Sequence, residues 1–273
     1  RLDTNERRDE SIGSSNSKSH SYYGYGQVDY NLSKNDLLSL SFNVAHWSSD
    51  YSAHNQHTFF SATERSVGRF FDTSNPTGGA NSGGYGEASL LVKHTFEGEH
   101  KLSLNVSYNG DGYSGGGTYT GVYVRSDGTI DSLRGSSRNT DYDKTEGTII
   151  TTLDYDYPIN DSLTLSLGAK NEINNLDNST TIINRDRVTG EFILDTLQSN
   201  HYLPTNTVYA AYANVSYRPL GWLGIQGGIR VERANVAAEF ASGASVISRD
   251  YTNLFPSGSV TLSITERQSL TFS

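Results

Sequence analysis

Residues 205–232, TNTVYAAYANVSYRPLGWLGIQGGIRVE, consist of two alternating segments that flank a short turn at residues 218–221. One parity of the second segment is apolar and comprises Leu223, Ile225, Gly227, Ile229 and Val231. The other parity includes Gln226, Arg230 and Glu232. Successive side chains of a β-strand point to opposite faces, so the stretch predicts a β-hairpin with one apolar and one polar face. Such a hairpin is typical of a strand pair with lipid on one side and a watery lumen on the other.

The composition of the chain favours an all-β fold. The 273 residues include 18 Tyr and 10 Phe, which are enriched in strands, and only 34% of residues are hydrophobic. No apolar run reaches about 18 residues, so no transmembrane helix is predicted, although barrel strands bury only every second residue in lipid. The absence of Cys excludes a disulfide scaffold, and the net charge of −9 argues against a nucleic-acid partner.

Short and long connections alternate along the chain. Tight turns centre near Lys34, Gly98, Asn160, Leu220 and Glu266. Long polar connections are predicted at residues 48–84, 110–143, 175–204 and 239–250, and residues 1–19 are predicted as loop. The second and third connections contain a hairpin signal, around residues 126–128 and 188–190. Outer-membrane barrels have short periplasmic turns and long extracellular loops, so the sequence predicts an antiparallel transmembrane β-barrel segment of about ten strands.

Aromatic residues collect beside the tight turns, on the apolar parity of their strands. They are Tyr30, Phe96, Tyr155, Tyr157, Tyr217 and Trp222. Barrel proteins carry aromatic girdles at the boundary between lipid and water. We therefore expect these six residues to form the girdle on the periplasmic side, in contact with outer-membrane lipid.

Three short motifs carry a family resemblance. YAAYA at 209–213, GGIRVE at 227–232 and NLFPS at 253–257 resemble successive barrel strands of TonB-dependent outer-membrane receptors, in particular the branch common in Bacteroidota. The resemblance covers about residues 205–273; upstream it rests on the strand and loop pattern. It implies a barrel of about 22 strands, a plug domain, the TonB machinery as partner, location in the cell outer membrane and uptake of a bulky nutrient such as a siderophore, glycan or peptide. A surface lipoprotein is a further candidate partner.

The resemblance also implies a domain organisation, and two other functions are weighed against transport. We expect residues 1–273 to be a partial barrel domain, an internal piece of a longer chain, with the plug domain and the remaining strands outside it. The alternative function is a structural barrel that serves docking or secretion in a larger envelope complex. An outer-membrane enzyme is a third hypothesis. It would need a closed set of strands and a Ser/His pair at the rim, neither of which the sequence supplies, so no catalytic residue is predicted.

Two groups of polar residues are the candidate contacts. The lumen group comprises Gln226, Arg230, Glu232, Lys170 and Glu172, which either contact a plug or substrate or balance the charge of the lumen. The second group lies in the predicted extracellular loops and comprises Tyr113, Tyr119, Tyr123, Tyr142 and Tyr202. These tyrosines either stack on a ligand or pack the loop hairpins against one another. His54 and His57 lack a third ligand nearby, so no metal and no cofactor are predicted.

Overall fold

The computed structural model describes residues 6–61, 66–76, 81–240, 246–265 and 268–273. Its elements are β1 (Glu6–Asn31), β2 (Asp36–Ser61), β3 (Ser66–Pro76), β4 (Asn81–Thr95), β5 (Lys101–Arg125), β6 (Ile130–Asn160), β7 (Leu163–Arg185), β8 (Phe192–Leu194), β9 (Asn200–Leu220), β10 (Leu223–Phe240), β11 (Val246–Thr265) and β12 (Gln268–Phe272). These strands form one antiparallel sheet, which confirms the predicted all-β antiparallel class. In the part of the chain that the structure describes, no helix has the length and apolar character needed to cross a membrane.

The sheet is a meander in which neighbours in sequence are mostly neighbours in space. Its order is β1-β2-β3-β5-β6-β7-β9-β10-β11-β12, with β4 between β2 and β5 and β8 beside β7. Residues 36–49 of β2 pair with β4, whereas residues 53–60 pair with β3. Strands β3 and β4 therefore follow one another in a single column of the sheet. The ten columns agree with the ten strands that the alternation predicts.

The tight turns at one end of the sheet lie where the sequence predicts them. They connect β1 to β2, β4 to β5, β6 to β7 and β9 to β10. In the second of these turns, Gly98 (φ 86°) and Glu99 (φ 65°) adopt the left-handed conformation, which glycine tolerates best. The predicted turn at Glu266 falls on residues 266–267, which lie outside the described residues.

Among the described residues, the long connections are mostly paired strand, so the prediction that they are loops is wrong there. Strand β1 already begins at Glu6, and its residues 6–19 pair with residues 49–61 of β2. The described residues of the regions 48–84, 110–143, 175–204 and 239–250 mostly continue paired strands. Hydrogen bonding across these long hairpins satisfies the backbone groups that a loop would leave to water. Both predicted hairpin tips are confirmed, with Gly128 (φ 83°) and Gly190 (φ 78°) in their turns.

The pairing register places the apolar residues of every column on one face. One row across nine columns shows this alignment: Tyr30, Leu38, Val92, Leu104, Leu153, Ala169, Ala211, Val231 and Leu254. We call this side the outer face. The opposite side, which carries Asp154, Lys170 and Arg230, is the inner face.

Burial distinguishes the two faces independently of polarity. The buried residues with a side chain, among those described, all lie on the inner face: Ser39, Ala53, Asp72, Tyr123, Asp131, Ile182, Ala210, Ala234 and Ala238. Apolar side chains of the outer face are exposed, with Leu153 at 45% and Ile229 at 46%. Side chains crowd together on the concave side of a curved sheet, so the inner face is the concave, lumen side.

Candidate functional site

A group of charged and aromatic side chains lies at mid-depth on the inner face of β6, β7, β9 and β10. This inner cluster consists of Asp154, Lys170, Glu172, Tyr212, Arg230 and Glu232. Lys170 Nζ lies 2.7 Å from Glu172 Oε2, and Arg230 Nε donates a hydrogen bond to Glu232 Oε1. The Arg230 guanidinium also lies 5.6 Å from the centre of the Tyr212 ring. The sequence predicted both ion pairs as same-face neighbours, and the structure joins them in one cluster.

Tyr212 connects strands that are not adjacent in the sheet. Its hydroxyl on β9 donates a hydrogen bond to Asp154 Oδ1 on β6, across the intervening strand β7. Gly168 of β7 pairs with both residues, and a Cβ at that position would lie 2.2 Å from the Tyr212 ring. The glycine is therefore required for this contact. Sequence reasoning did not single out Tyr212 or Gly168, because their alignment depends on the register of β7 and β9.

The ion pairs of the inner cluster are modest in energy. The side chains of Lys170, Glu172, Arg230 and Glu232 are all between 28% and 31% exposed. Partly exposed pairs of this kind contribute about 0–1 kcal/mol each to stability, so their main effect is to hold charge in fixed positions. Gln226, the fifth predicted lumen residue, lies on the same face but two rows nearer the tight turns, beside Ser216 and Ser259.

The five tyrosines of the predicted loops all point to the inner face. Tyr113 and Tyr202 lie in one register row, which runs Trp47, Gly83, Tyr113, Lys144, Asn178, Tyr202 and Phe240. Tyr142 lies one row above Tyr113 on that face and stacks on it, with ring centres 5.1 Å apart and hydroxyl oxygens 2.9 Å apart. We call Trp47, Tyr113, Tyr142, Tyr202 and Phe240 the aromatic belt.

The belt residues are held in place by close contacts. Tyr202 and Phe240 have ring centres 5.0 Å apart, and the Trp47 indole covers Gly83, where a Cβ would lie 2.4 Å from the ring. Burial, followed by the hydrogen bond to Tyr113, raises the pKa of Tyr142 to about 12, so its hydroxyl keeps its proton at neutral pH. Sequence reasoning missed Trp47 and Phe240. The inner face could be read for Trp47 from the alternation of its strand, but Phe240 falls in a predicted connection, and the alignment of either residue with Tyr113 could not be read.

The cation beside the belt is paired with carboxylates within the wall. Lys144 Nζ lies 2.8 Å from Glu146 Oε2 and 3.0 Å from Asp111 Oδ2. The hydrogen bonds to these carboxylates raise the pKa of Lys144, so it stays charged and paired. Asn174 donates a further hydrogen bond to Glu146 at 2.9 Å.

Tyr119 and Tyr123 lie farther from the tight turns and are surrounded by side chains of β2, β3 and β6. Tyr123 is buried, stacks on Phe59 at 6.1 Å, and has the Arg134 guanidinium 4.8 Å from its ring centre. Burial, followed by the nearby charge of Asp72, raises the pKa of Tyr119. These contacts favour a packing role for the two tyrosines over direct ligand contact.

The six predicted girdle residues lie at the end of the sheet that carries the tight turns. Tyr155 and Tyr157 stack at 6.4 Å, and His100 shares a 3.0 Å hydrogen bond with the Tyr155 hydroxyl. Phe96 packs on His94 at 4.3 Å. Tyr217 and Trp222 flank the turn between β9 and β10, and Tyr30 lies near the end of β1.

A second set of exposed tyrosines marks the opposite edge of the apolar rows. Tyr22, Tyr108 and Tyr209 lie on the outer face and are 69%, 52% and 57% exposed. Tyr209 to Tyr217 comprise nine residues, which matches the roughly 9–11 residues that a tilted strand needs to cross the apolar band of an outer membrane. The inner cluster lies at the depth of this band. The aromatic belt lies beyond the edge that Tyr22, Tyr108 and Tyr209 mark, on the side away from the tight turns.

No metal site is visible in the described ranges, where no group of three or more His, Asp or Glu residues could hold an ion. His54 and His57 are three residues apart on β2, so they point to opposite faces of the strand. The two imidazoles therefore cannot share one ligand from the same side of the sheet.

An antiparallel sheet with an apolar outer face, a polar concave face and two aromatic rims defines a β-barrel protein of the outer membrane. A family model described as "Outer membrane protein beta-barrel family" matches residues 94–273, and the chain belongs to this family. The protein is accordingly located in the outer membrane. No curated protein sequence matches the chain.

Two solved structures are similar in strand arrangement. One is the ferric citrate transporter FecA in the unliganded form, with 12% identity and a TM-score of 0.47; the match covers 93% of this chain and 43% of that chain. The other is the outer membrane protease OmpT from Escherichia coli, with 13% identity and a TM-score of 0.29, covering 96% of this chain and 95% of that one. The chain thus spans less than half the length of the transporter.

Proposed function

We propose that the chain forms part of the wall of a TonB-dependent receptor that takes up a bulky nutrient. One observation carries this proposal: the three motif segments lie side by side on β9, β10 and β11. Tyr212, Arg230 and Phe255 share one row of the inner face, and Ala210, Glu232 and Asn253 share the next. Motifs that are spread over about 50 residues of sequence therefore form one patch facing the lumen.

The proposed mechanism is binding followed by passage through the lumen. Side chains beyond the outer edge of the membrane hold the nutrient, and a plug domain inside the barrel moves when the TonB machinery supplies energy. The inner cluster faces the space where such a plug would lie, so Arg230 and Glu232 are its proposed contacts. We expect no covalent chemistry from this chain. A surface lipoprotein is a proposed partner at the extracellular end.

A nutrient-limitation experiment tests the proposal. The gene for the full-length protein is deleted in its host, and growth is compared on ferric chelates, glycans and peptides supplied as limiting nutrients. We expect loss of uptake of one nutrient, and loss of that same uptake in the parent strain when a protonophore abolishes the energy supply. A nutrient defect that is insensitive to the protonophore would contradict active transport.

A structural barrel for docking or secretion is the second candidate. Its supporting observation is the length of the hairpins beyond the membrane, since β6 alone has 31 residues, whereas about ten span an outer membrane. In that case the deletion strain would take up every nutrient normally and would lose another envelope protein from its outer-membrane fraction.

A further inference from the structure

The aromatic belt follows a row of the inner face, with a gap at β7, where the row carries Asn178. From Trp47 on β2 to Phe240 on β10 the row crosses six strand intervals, which is about 29 Å at the usual strand spacing. Trp47 is 38% exposed, and the other four belt residues are partly exposed. Since barrel strands are tilted, a row perpendicular to them also climbs along the barrel, so the belt follows a path from the outer rim towards the membrane.

The chemistry of the belt fits a ligand with flat apolar faces and polar edges. Aromatic rings offer apolar surface, while the Tyr113, Tyr142 and Tyr202 hydroxyls and the Asn178 amide, on the same stretch of wall, offer hydrogen-bonding groups. A sugar ring has this combination, because its C–H face is apolar and its rim carries hydroxyl groups. A chain of sugars repeats it along its whole length, so one chain can contact the Tyr113–Tyr142 pair and the Tyr202–Phe240 pair together.

Two other nutrient classes fit the belt less well. An anionic ferric chelate needs unpaired cations, but Lys144, the cation in the row, is already paired with Asp111 and Glu146. A peptide that binds by strand addition needs a free sheet edge, but the strands that carry the belt are paired on both sides. We propose that the aromatic belt binds a neutral oligosaccharide, a substrate class that rests on the transport function proposed above.

Ligand titration of the purified full-length protein in detergent micelles tests the proposal. The probes are neutral hexasaccharides: α-1,4-glucan, β-1,4-glucan, β-1,3-glucan, β-1,4-mannan and β-1,4-xylan. We expect at least one of them to bind in calorimetry and to change the tryptophan fluorescence. The change should disappear in Trp47→Phe while the calorimetric binding remains, because phenylalanine keeps a stacking ring.

Variants with matched controls decide whether the belt is the site. Tyr113→Ala combined with Tyr142→Ala should weaken binding at least about tenfold. Phe71→Ala should leave binding unchanged, since Phe71 is an aromatic residue as exposed as Trp47 but lies on the outer face of β3. The heat-modifiable mobility of each variant on a gel reports whether it is folded. Tyr113→Phe keeps the aromatic ring and should retain most of the affinity. This variant still tests the role of the ring if the alanine variant fails to fold.

The result separates this inference from the proposed function. If none of the five sugars binds, or if Phe71→Ala weakens binding as much as the belt variants do, the oligosaccharide site is wrong. If the deletion strain loses energy-dependent uptake of a ferric chelate or peptide instead, transport stands and the inference fails. If a hexasaccharide binds at the belt but its uptake is insensitive to the protonophore, the inference stands and active transport fails.

Discussion

Gly168 has no side chain, and the Tyr212 ring occupies the space that a methyl group would need. We expect Gly168→Ala to displace this ring from Asp154 and to lower the free energy of unfolding by about 1–3 kcal/mol, through overpacking and a lost hydrogen bond. Urea titration of the full-length protein in micelles measures the change. Gly227→Ala is the control, because no atom lies within 4 Å of its added Cβ. Equal destabilisation by both substitutions would show that the glycine–tyrosine contact is unimportant.

Neighbouring residues on β5 test the assignment of the two faces. Leu104 lies on the outer face and is 39% exposed, whereas Ser103 lies on the inner face opposite Asp154. An Arg on the lipid face near mid-membrane costs about 2–4 kcal/mol, so Leu104→Arg should reduce the folded fraction in the outer membrane. Ser103→Arg should be tolerated, since it gains a carboxylate neighbour. Heat-modifiability gels of outer-membrane fractions measure both, and the opposite order would reverse the faces.

The residue-scale contacts could be predicted from the sequence only in part. Arg230 and Glu232, or Lys170 and Glu172, are two apart on one strand, so alternation alone places each pair on a common face. The link between Tyr212 and Asp154 spans 58 residues and depends on the register of three strands. No local pattern encodes that register, and the same limit applies to the alignment of the aromatic belt.

At the scale of the strands, alternation is visible only where the two faces have different surroundings. Residues 102–108 of β5 alternate apolar and polar because one face meets lipid. Beyond Tyr108 both faces meet water. From Gly110 to Thr120 the residues of the outer face are glycine, serine and threonine, so this part of the strand resembles a polar loop. The sequence therefore predicted the membrane half of each hairpin and its tip, but not the paired segment between them.

The tip of the β5–β6 hairpin depends on one carboxylate. Asp131 is buried, lies 2.9 Å from Arg125 Nη2, and accepts hydrogen bonds from the Leu133 and Arg134 backbone amides. The hydrogen bond from Arg125, together with these contacts, holds the pKa of Asp131 below its ordinary value of 3.8. A lowered pKa means that the stabilisation is complete above the ordinary value and is lost as the pH falls through the lowered one.

Hydrogen exchange across that pH range gives the element-scale prediction. Protection of the Leu133 and Arg134 amides, corrected for the intrinsic exchange rate, should be high at about pH 6 and should fall at an acidic pH below the lowered pKa of Asp131. Asp131→Ala is the matched comparison and should show low protection at both pH values, because the accepting carboxylate is gone. Protection that stays constant in the unaltered protein would contradict the role assigned to Asp131.

At the scale of the whole molecule, the sheet has one end of tight turns and one end of extended hairpins, and β6 reaches from one to the other. Its 31 residues extend about 100 Å along the strand. Asp127 lies in the turn before β6 and Asp161 in the turn after it, and both are exposed. The segment has no Cys, so a cysteine introduced at either aspartate reports one end alone.

Labelling of intact cells with a membrane-impermeant maleimide determines the orientation. In the full-length protein, Asp127→Cys should react from outside, whereas Asp161→Cys should react only after the outer membrane is permeabilised. The reason is that the apolar rows and both aromatic rims lie between these two turns, so the lipid bilayer separates one turn from the other. Reaction of Asp161→Cys in intact cells would place the tight turns outside. The aromatic belt would then face the periplasm, where it could not capture a nutrient arriving from the medium.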